Sequence, residues 1–174
     1  MAGTVLITGG AGFIGSHLAD ELLAHGYRVR ALDDLTPQVH GGGERPEYLS
    51  SEVELVVGDI RDPDAVARAM DGVDAVVHLA ARVGVGQSMY KLAEYTAVNS
   101  LGTAVLLEAL VARPVERLLL ASSMSVYGEG LYRSADGTLF AGVERPRDQL
   151  ERGEWELRGL EPVPTPETKE PALA

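Results

Sequence analysis

The sequence contains no cysteine among its 174 residues and is short of positive charge, with 15 lysines and arginines against 26 aspartates and glutamates. The absence of cysteine excludes disulfide bonds, thiolate zinc sites and a cysteine nucleophile. A formal net charge of −11 excludes a protein that coats nucleic acid through bulk positive charge. Any chemistry must therefore use hydroxyls, carboxylates, histidines or a cofactor.

Long apolar runs are scarce as well. The first residues enter the apolar stretch Val5-Leu6-Ile7 without a basic region or a cleavage site. We find no apolar run close to the roughly 18 residues that a membrane helix needs. The sequence thus predicts a cytoplasmic protein with neither membrane nor nucleic acid as a partner. Its 45% apolar residues suffice for one sizeable core, so we expect one core domain and a tail.

Short β-branched runs alternate with helical patterns, which is typical of a parallel sheet covered by helices. The predicted strands are Thr4–Thr8, Arg28–Leu32, Glu54–Gly58, Ala75–Leu79 and Arg117–Ala121. The predicted helices are Gly12–His25, Asp62–Gly72 with Asp62 as its cap, and Tyr90–Ala112. The predicted fold class is therefore α/β, a Rossmann-type doubly wound sheet with helices on both faces.

The alternation ends at Gly128. Residues 129–174 are rich in proline and acidic side chains, and no run there is typical of a buried strand. We predict a dinucleotide-binding domain over residues 1–128 and an irregular appendage over residues 129–174. A short helix is expected near Asp148–Arg152.

A glycine-rich turn follows the first predicted strand. Gly9, Gly10, Gly12 and Gly15 satisfy two dinucleotide-binding spacings, G-x-G-x-x-G and G-x-x-G-x-x-G. Glycines there permit positive φ and let backbone N–H groups approach a pyrophosphate at the start of the next helix. The turn thus predicts dinucleotide binding, against the plainer interpretation of a tight strand-to-helix connection.

Asp33 comes directly after the second predicted strand, 24 residues after Gly9. A carboxylate at about that separation accepts hydrogen bonds from the adenosine ribose. Asp34 beside it adds a second negative charge, and no arginine stands immediately next to the pair in the sequence. Both carboxylates would repel a 2′-phosphate, so we predict NAD rather than NADP as the cofactor.

Further motifs follow in order along the chain. They are Gly58-Asp59-Ile60, His78-Leu79-Ala80-Ala81, Asn99 and Ser122-Ser123-Met124-Ser125-Val126-Tyr127-Gly128. With the glycine-rich turn they resemble the extended short-chain dehydrogenase/reductase superfamily, specifically its NAD-dependent epimerase/dehydratase family of UDP-glucose 4-epimerase-like proteins. The resemblance covers residues 4–128 and implies only the N-terminal part of such an enzyme, without the C-terminal lobe.

The resemblance implies a role for each motif. Residues at the pyrophosphate would be Gly9, Gly12, Phe13, Ile14 and Gly15. Asp33 would bind the adenosine ribose, and Asp59 and Ile60 would lie at the adenine. Leu79, Ala80 and Ala81 would pass beneath the centre of the cofactor, with Asn99 and Ser122 nearer the nicotinamide. Plainer interpretations remain open: Asp59 as a cap, Asn99 as a partner of helix backbone, and His78 as a packed strand residue rather than an acid or base.

The family's proton-transfer pair is missing from the sequence. Such enzymes use a tyrosine, whose free pKa is about 10, and a lysine four residues later that helps it ionise. No Tyr-x-x-x-Lys occurs here: Leu131 is four residues after Tyr127, and Asn99 is four residues after Tyr95. Ser123 matches the accompanying catalytic hydroxyl, with Ser125 as a weaker alternative. The segment Pro164–Ala174 resembles the stretch that precedes the tyrosine, so the chain is expected to stop before its base.

Three functions remain open at this stage. The first is the cofactor portion of a nucleotide-sugar epimerase or dehydratase, which acts by transient oxidation of a sugar hydroxyl. The second is another alcohol or hydroxysteroid dehydrogenase of the superfamily, and the third is a noncatalytic NAD-binding module. We also expect a homo-oligomer, because a sheet that ends at its fifth strand exposes backbone donors and acceptors. Alternatively, residues 129–174 would cover that edge.

Overall fold

The computed structural model describes residues 3–142 and 144–166. The chain forms two compact units, Met1–Ala121 and Ser122–Ala174. The first unit ends after Ala121, and the predicted domain over residues 1–128 stays a prediction.

The first unit contains a five-stranded parallel sheet in the order β3-β2-β1-β4-β5. Its strands are β1 (Thr4–Thr8), β2 (Arg28–Asp33), β3 (Glu54–Val57), β4 (Ala75–His78) and β5 (Arg117–Leu120). All five predicted strands are confirmed, and each end agrees within one residue. The order reverses beside β1, because the chain moves outward to β2 and β3 before it returns to β4. Ligands of such sheets bind at this reversal, at the carboxyl ends of the strands.

Helices connect the strands of the first unit. They are α1 (Phe13–Ala24), α2 (Pro37–His40), α3 (Pro63–Ala69), α4 (Val85–Ser88), α5 (Leu92–Thr96) and α6 (Thr103–Ala112). Asp62 caps α3 as predicted, since its Oδ1 accepts a hydrogen bond from the Asp64 N–H at 3.0 Å. The predicted helix Tyr90–Ala112 is present from Leu92, but a π-helical segment, Ala97–Gly102, interrupts its α-helical geometry.

Two apolar clusters account for the packing of this unit. Leu6 of β1 belongs to one cluster with Val66 of α3 and Leu106 of α6. Ile7, the next residue of β1, belongs to the other cluster with Ala19 of α1. Successive side chains of a strand point to opposite faces, so the two clusters lie on the two faces of the sheet. The doubly wound α/β fold is thereby confirmed.

Leu92–Ala112 is long and apolar enough to cross a membrane by length and composition alone, although the sequence analysis found no such run. Length and composition alone are weak evidence for a membrane span, because core helices of soluble proteins share them. Val98, Val105 and Leu106 of this helix belong to the core cluster.

The second unit contains three short antiparallel strands. They are β6 (Leu131–Ser134), β7 (Leu139–Ala141) and β8 (Leu160–Val163), in the order β7-β6-β8. The prediction of an irregular segment is therefore wrong for these residues. The strands were missed because each has only three or four residues and β8 contains Pro162, which an edge strand tolerates. The predicted short helix is confirmed as α7 (Arg147–Glu151). Residues 167–174, and with them part of the predicted lead-in Pro164–Ala174, lie outside the described residues.

Candidate functional site

The glycine-rich turn lies between β1 and α1, at the carboxyl end of the sheet. Gly9 adopts a φ of +69° and donates its N–H to Leu32 O at 2.8 Å. A Cβ atom at Gly9 would lie 2.8 Å from the Ala80 nitrogen, within the turn that follows β4. Position 9 therefore requires glycine twice, for its conformation and for the approach of the neighbouring backbone.

Gly15 allows α1 to pack against this turn. A Cβ atom there would lie 2.5 Å from Gly9 O and 2.7 Å from the Gly10 Cα. Gly12 occupies the N-cap position of α1 with an extended conformation, and its N–H donates to Gly9 O at 3.2 Å. The glycines at positions 9, 12 and 15 therefore make one compact turn that leads directly into the helix.

The start of α1 is open. No side chain caps it, and its first turn contains no acidic residue. Phe13 and Ile14, the first helical residues, are 79% and 66% exposed. The first N–H groups of a helix have no intrahelical partners and carry partial positive charge. This end of α1 can therefore accept an anion such as a phosphate group.

Asp33 ends β2 beside the turn and is only 7% exposed. Its Oδ2 accepts a hydrogen bond from the Ala11 N–H at 3.0 Å, and its Oδ1 accepts one from the Leu35 N–H at 3.0 Å. His40 Nε2 lies 3.5 Å from the same Oδ1. Asp33 thus supports the glycine-rich turn, a role that its spacing did not predict. A carboxylate has about four acceptor sites, so capacity for ribose hydroxyls remains.

Asp34 is paired with an arginine that is distant in the sequence. Arg82 Nη2 donates to Asp34 Oδ2 at 3.1 Å, and Arg82 Nη1 donates to Thr36 Oγ1 at 2.5 Å. No arginine stands next to the acidic pair in the sequence, and the fold brings Arg82 to Asp34 from 48 residues away. Arg82 follows β4 by four residues and reaches the end of β2. In a parallel sheet the carboxyl ends of β2 and β4 lie at the same edge, and this placement could have predicted the contact between Arg82 and Asp34.

Asp59 and Ile60 follow β3. Arg61 donates from Nε to Asp59 Oδ1 at 2.9 Å and from Nη2 to Oδ2 at 2.5 Å, and these bonds hold the pKa of Asp59 below its usual value. Ile60 is buried in the core beneath the π-helical segment, where a Cβ at Gly102 would lie 2.6 Å from Ile60 Cγ2. The Ile60 side chain therefore packs inward, which leaves its backbone for any contact with adenine.

Leu79, Ala80 and Ala81 continue from β4 past the glycine-rich turn. The Leu79 N–H donates to Thr8 O at 3.0 Å, and the Ala80 N–H donates to Thr8 Oγ1 at 3.2 Å. Asn99 holds the next residue: its Oδ1 accepts from the Arg82 N–H at 2.8 Å, and its Nδ2 donates to Arg82 O at 3.0 Å. Asn99 therefore fixes a loop rather than bonding the backbone of its own helix.

His78 occupies the centre of a buried chain of hydrogen bonds. Thr103 Oγ1 donates to Asn99 O at 2.7 Å, so it accepts from His78 Nε2 at 2.9 Å. On the other side of the ring, Thr8 Oγ1 lies 2.6 Å from His78 Nδ1. In the neutral imidazole the proton is therefore on Nε2, and Thr8 Oγ1 donates to Nδ1. Burial lowers the pKa of His78, which favours the same neutral form.

Ser122 and Ser123 begin the second compact unit. Ser123 Oγ accepts a hydrogen bond from the Ser125 N–H at 3.1 Å, as the cap of the 3₁₀-helix Met124–Tyr127. The predicted roles of Ser122 at the nicotinamide and of Ser123 as the catalytic hydroxyl stay predictions. In the first unit the structure brings together Gly9, Gly12, Gly15, Asp33, Leu79, Ala80, Ala81 and Asn99.

The sheet order and the turn define the class of this protein, a Rossmann-type α/β protein. Residues 5–146 match the model of the NAD dependent epimerase/dehydratase family. The chain belongs to this family, as its motifs predicted.

Several proteins similar to this chain are named as epimerases. A dTDP-L-rhamnose 4-epimerase of Burkholderia thailandensis is 39% identical over 165 residues, which are 92% of this chain and 46% of that protein. The crystal structure of the Thermus thermophilus UDP-glucose 4-epimerase in complex with NAD has 40% identity and a TM-score of 0.65, over 72% of this chain and 40% of that one. The Thermotoga maritima UDP-glucose 4-epimerase with UDP-glucose has 29% identity and a TM-score of 0.67, over 97% and 44%. This chain thus spans less than half the length of these relatives.

Proposed function

We propose that this chain binds NAD and is the cofactor-binding portion of a nucleotide-sugar 4-epimerase or dehydratase. The observation that carries the proposal is the open start of α1 behind a turn that only glycine can form. Anions bind at such helix starts, and the pyrophosphate of a dinucleotide is an anion. The residues therefore fit the cofactor that the family name implies.

Each predicted residue has a proposed role in this site. The pyrophosphate would lie against Gly9, Gly12, Phe13, Ile14 and Gly15, with the adenosine ribose at Asp33. The adenine would lie at Asp59 and Ile60, and the middle of the cofactor would pass Leu79, Ala80 and Ala81. Asn99 would act indirectly, because its amide holds the loop at Arg82. Ser122 and Ser123 would face the nicotinamide and the substrate hydroxyl.

Calorimetric titration with NAD⁺ and NADP⁺ tests the proposal. We expect NAD⁺ to bind at least about tenfold more tightly, because Asp33 and Asp34 disfavour a third phosphate. Asp33→Asn keeps one side-chain oxygen that can bond the turn and removes the negative charge. The variant should therefore reduce the difference in affinity between NAD⁺ and NADP⁺. The variant Asp20→Asn, at an exposed position of α1, is the matched control. No binding of either dinucleotide, or equal binding of both, would contradict the proposal.

We further propose that this chain alone does not epimerise sugars. NAD, when bound, would supply the hydride acceptor for oxidation of a sugar hydroxyl. Ser123 would hydrogen-bond the reacting oxygen, but no Tyr-x-x-x-Lys occurs in the 174 residues to take its proton. Assays with UDP-sugars should therefore show no turnover. Turnover that Ser123→Ala abolishes would mean that another base acts.

The missing pair also favours a second candidate function, a noncatalytic NAD-binding module. Its support is the same sequence observation, since a site without a base still binds the cofactor. The two candidate functions predict different results when the C-terminal half of a relative is added to this chain. Turnover that begins when a C-terminal half of a relative is added would favour the enzyme portion, whereas NAD binding without turnover in that mixture would favour the module.

We also propose that the chain forms a homo-oligomer and that it is located in the cytoplasm. β5 is an edge of the parallel sheet, and its residues Leu118, Leu119 and Leu120 are exposed. Exposed apolar edge strands tend to pair with another chain. Sedimentation at micromolar concentration should show association that Leu119→Lys reduces. Val57→Lys, at an exposed position of the opposite edge strand, should leave it unchanged, and a monomeric parent chain would contradict the expectation.

A further inference from the structure

Arg82 makes polar contacts with several residues at the candidate site. Its backbone is held by Asn99, and its side chain reaches Asp34 and Thr36 through its two terminal nitrogens. Glu94 of α5 lies 3.3 Å from its Nε. That Nε–H is buried, and its direction does not give a hydrogen bond to Glu94 or to any other described residue. The guanidinium is thus compensated by two carboxylates and still has an unused donor.

The position of this side chain relates it to the cofactor site. Arg82 follows β4 and Asp34 follows β2, and both strands pair directly with β1. The Asp34–Arg82 ion pair therefore spans the carboxyl end of β1, where the glycine-rich turn begins. Asp34 is also the neighbour of Asp33, the residue proposed at the adenosine ribose. A guanidinium beside that ribose is the group that reads a 2′-phosphate in NADP-binding sites.

We propose that the Asp34–Arg82 ion pair determines which dinucleotide the site accepts. This inference rests on the proposed NAD binding. While Asp34 occupies the guanidinium, Arg82 does not bind a 2′-phosphate, and NAD is preferred. When the pair is broken, Arg82 becomes available to a 2′-phosphate, and NADP binds better relative to NAD. Guanidinium groups bind phosphate by paired hydrogen bonds, so the freed Arg82 shifts the preference toward NADP although Asp33 is retained.

Asp34→Asn breaks the pair with little change to the local fold. Asp34 Oδ1 accepts hydrogen bonds from the Thr36 N–H at 3.0 Å and from Thr36 Oγ1 at 2.8 Å, and the asparagine oxygen can keep both. Arg82 Nη2 donates to Oδ2, which Thr36 Oγ1 also reaches at 2.8 Å. The amide nitrogen that replaces Oδ2 is a donor and cannot accept from a guanidinium. The substitution thus removes the contact of interest and one negative charge.

A four-protein comparison tests the inference, with the parent chain, Asp34→Asn, Arg82→Gln and the double variant. The measurements are calorimetric dissociation constants for NAD⁺ and NADP⁺, supported by the shift in unfolding temperature that each dinucleotide causes. Asp34→Asn should improve NADP⁺ binding relative to NAD⁺ by about tenfold or more. Adding Arg82→Gln should remove most of that gain, and Arg82→Gln alone should leave NADP⁺ weak.

Two results would overturn the inference. If Asp34→Asn leaves the ratio of the two dissociation constants unchanged, Asp34 does not restrain Arg82. If the double variant keeps the full gain, the loss of charge alone explains it and Arg82 does not bind the phosphate. Asp20→Asn removes one charge from an exposed position of α1 and should leave the ratio unchanged. A parent chain that binds neither dinucleotide would instead refute the proposed function, which keeps the two failures distinct.

Discussion

The two compact units differ in how their structures are held together. In the first unit, Leu6, Ile7 and Leu32 are almost completely inaccessible, and apolar clusters cover both faces of the sheet. In the second unit, the buried side chains among the described residues are Tyr132, Gln149 and Leu157. Its other recorded contacts include several ion pairs between exposed side chains, such as Arg147–Glu151 and Arg158–Glu154.

This difference implies unequal stability. Burial of apolar side chains supplies most of the stabilisation of a folded domain, whereas exposed ion pairs supply little. A three-stranded sheet with few buried side chains is close to the lower limit of independent stability. The first unit is therefore expected to open only with global unfolding, and the second to open locally.

Hydrogen exchange of the whole chain should show the largest effect. Amides of Leu6 and Ile7 in β1 should exchange at least about a hundredfold more slowly, relative to their intrinsic rates, than those of Tyr132 and Arg133 in β6. The cause is the difference in buried apolar area. Mass spectrometry of peptic peptides makes the measurement. Equal protection in the two strands would mean that both units unfold together.

Gly9→Ala should produce the next largest effect, within the first unit. Gly9 and Gly26 have similar positive φ values, +69° and +81°, but only a Cβ at Gly9 would collide with a neighbouring backbone. We expect Gly9→Ala to lower the free energy of unfolding by about 1–3 kcal/mol more than Gly26→Ala does. Urea denaturation measures both variants. Equal losses would show that backbone strain alone requires glycine at position 9.

The same contrast explains what the sequence could predict. Strands of the first unit are buried runs separated by helical patterns and glycines, and that periodicity located all five to within one residue. The candidate site was predicted from the spacing of Gly9, Gly12 and Gly15 and from Asp33 after the next strand. The binding roles of these residues stay predictions. These signals lie within short stretches of sequence. The alternation of strands and helices along the chain supports each of them.

The features that were missed depend on distant contacts or on small departures from regular geometry. Arg82 joins Asp34 across 48 residues of chain, and only the pairing of β2 and β4 with β1 brings them together. The π-helical segment Ala97–Gly102 looks like ordinary helix in sequence because the same side chains suit both geometries. β8 was missed since Pro162 argues against a strand unless it is known to lie at an edge.

His78 should make the stability of the first unit depend on pH. Burial lowers its pKa in the folded chain from the usual 6.5, so the unfolded chain binds more protons between the two values. Stability of the first unit should therefore fall as pH drops below about 6.5. Urea denaturation at several pH values between about 5 and about 7.5 measures how the free energy of unfolding changes with pH. His78→Gln should flatten this slope and His17→Gln, at an exposed position, should not; an unchanged slope in His78→Gln would assign it to other groups.

Gln149→Ala should have the smallest effect, confined to the second unit. Gln149 is buried, and its Nε2 donates to Glu154 O at 2.9 Å and to Glu156 O at 2.8 Å. Its loss removes the donor from two backbone carbonyls, at a cost of about 0.5–1.5 kcal/mol, the usual net contribution of a hydrogen bond. Exchange of second-unit amides should therefore accelerate while β1 keeps its protection. Glu151→Gln, which removes the exposed pair with Arg147 from the same helix, should change neither. If Glu151→Gln has the larger effect, ion pairs rather than buried polar contacts hold this unit together.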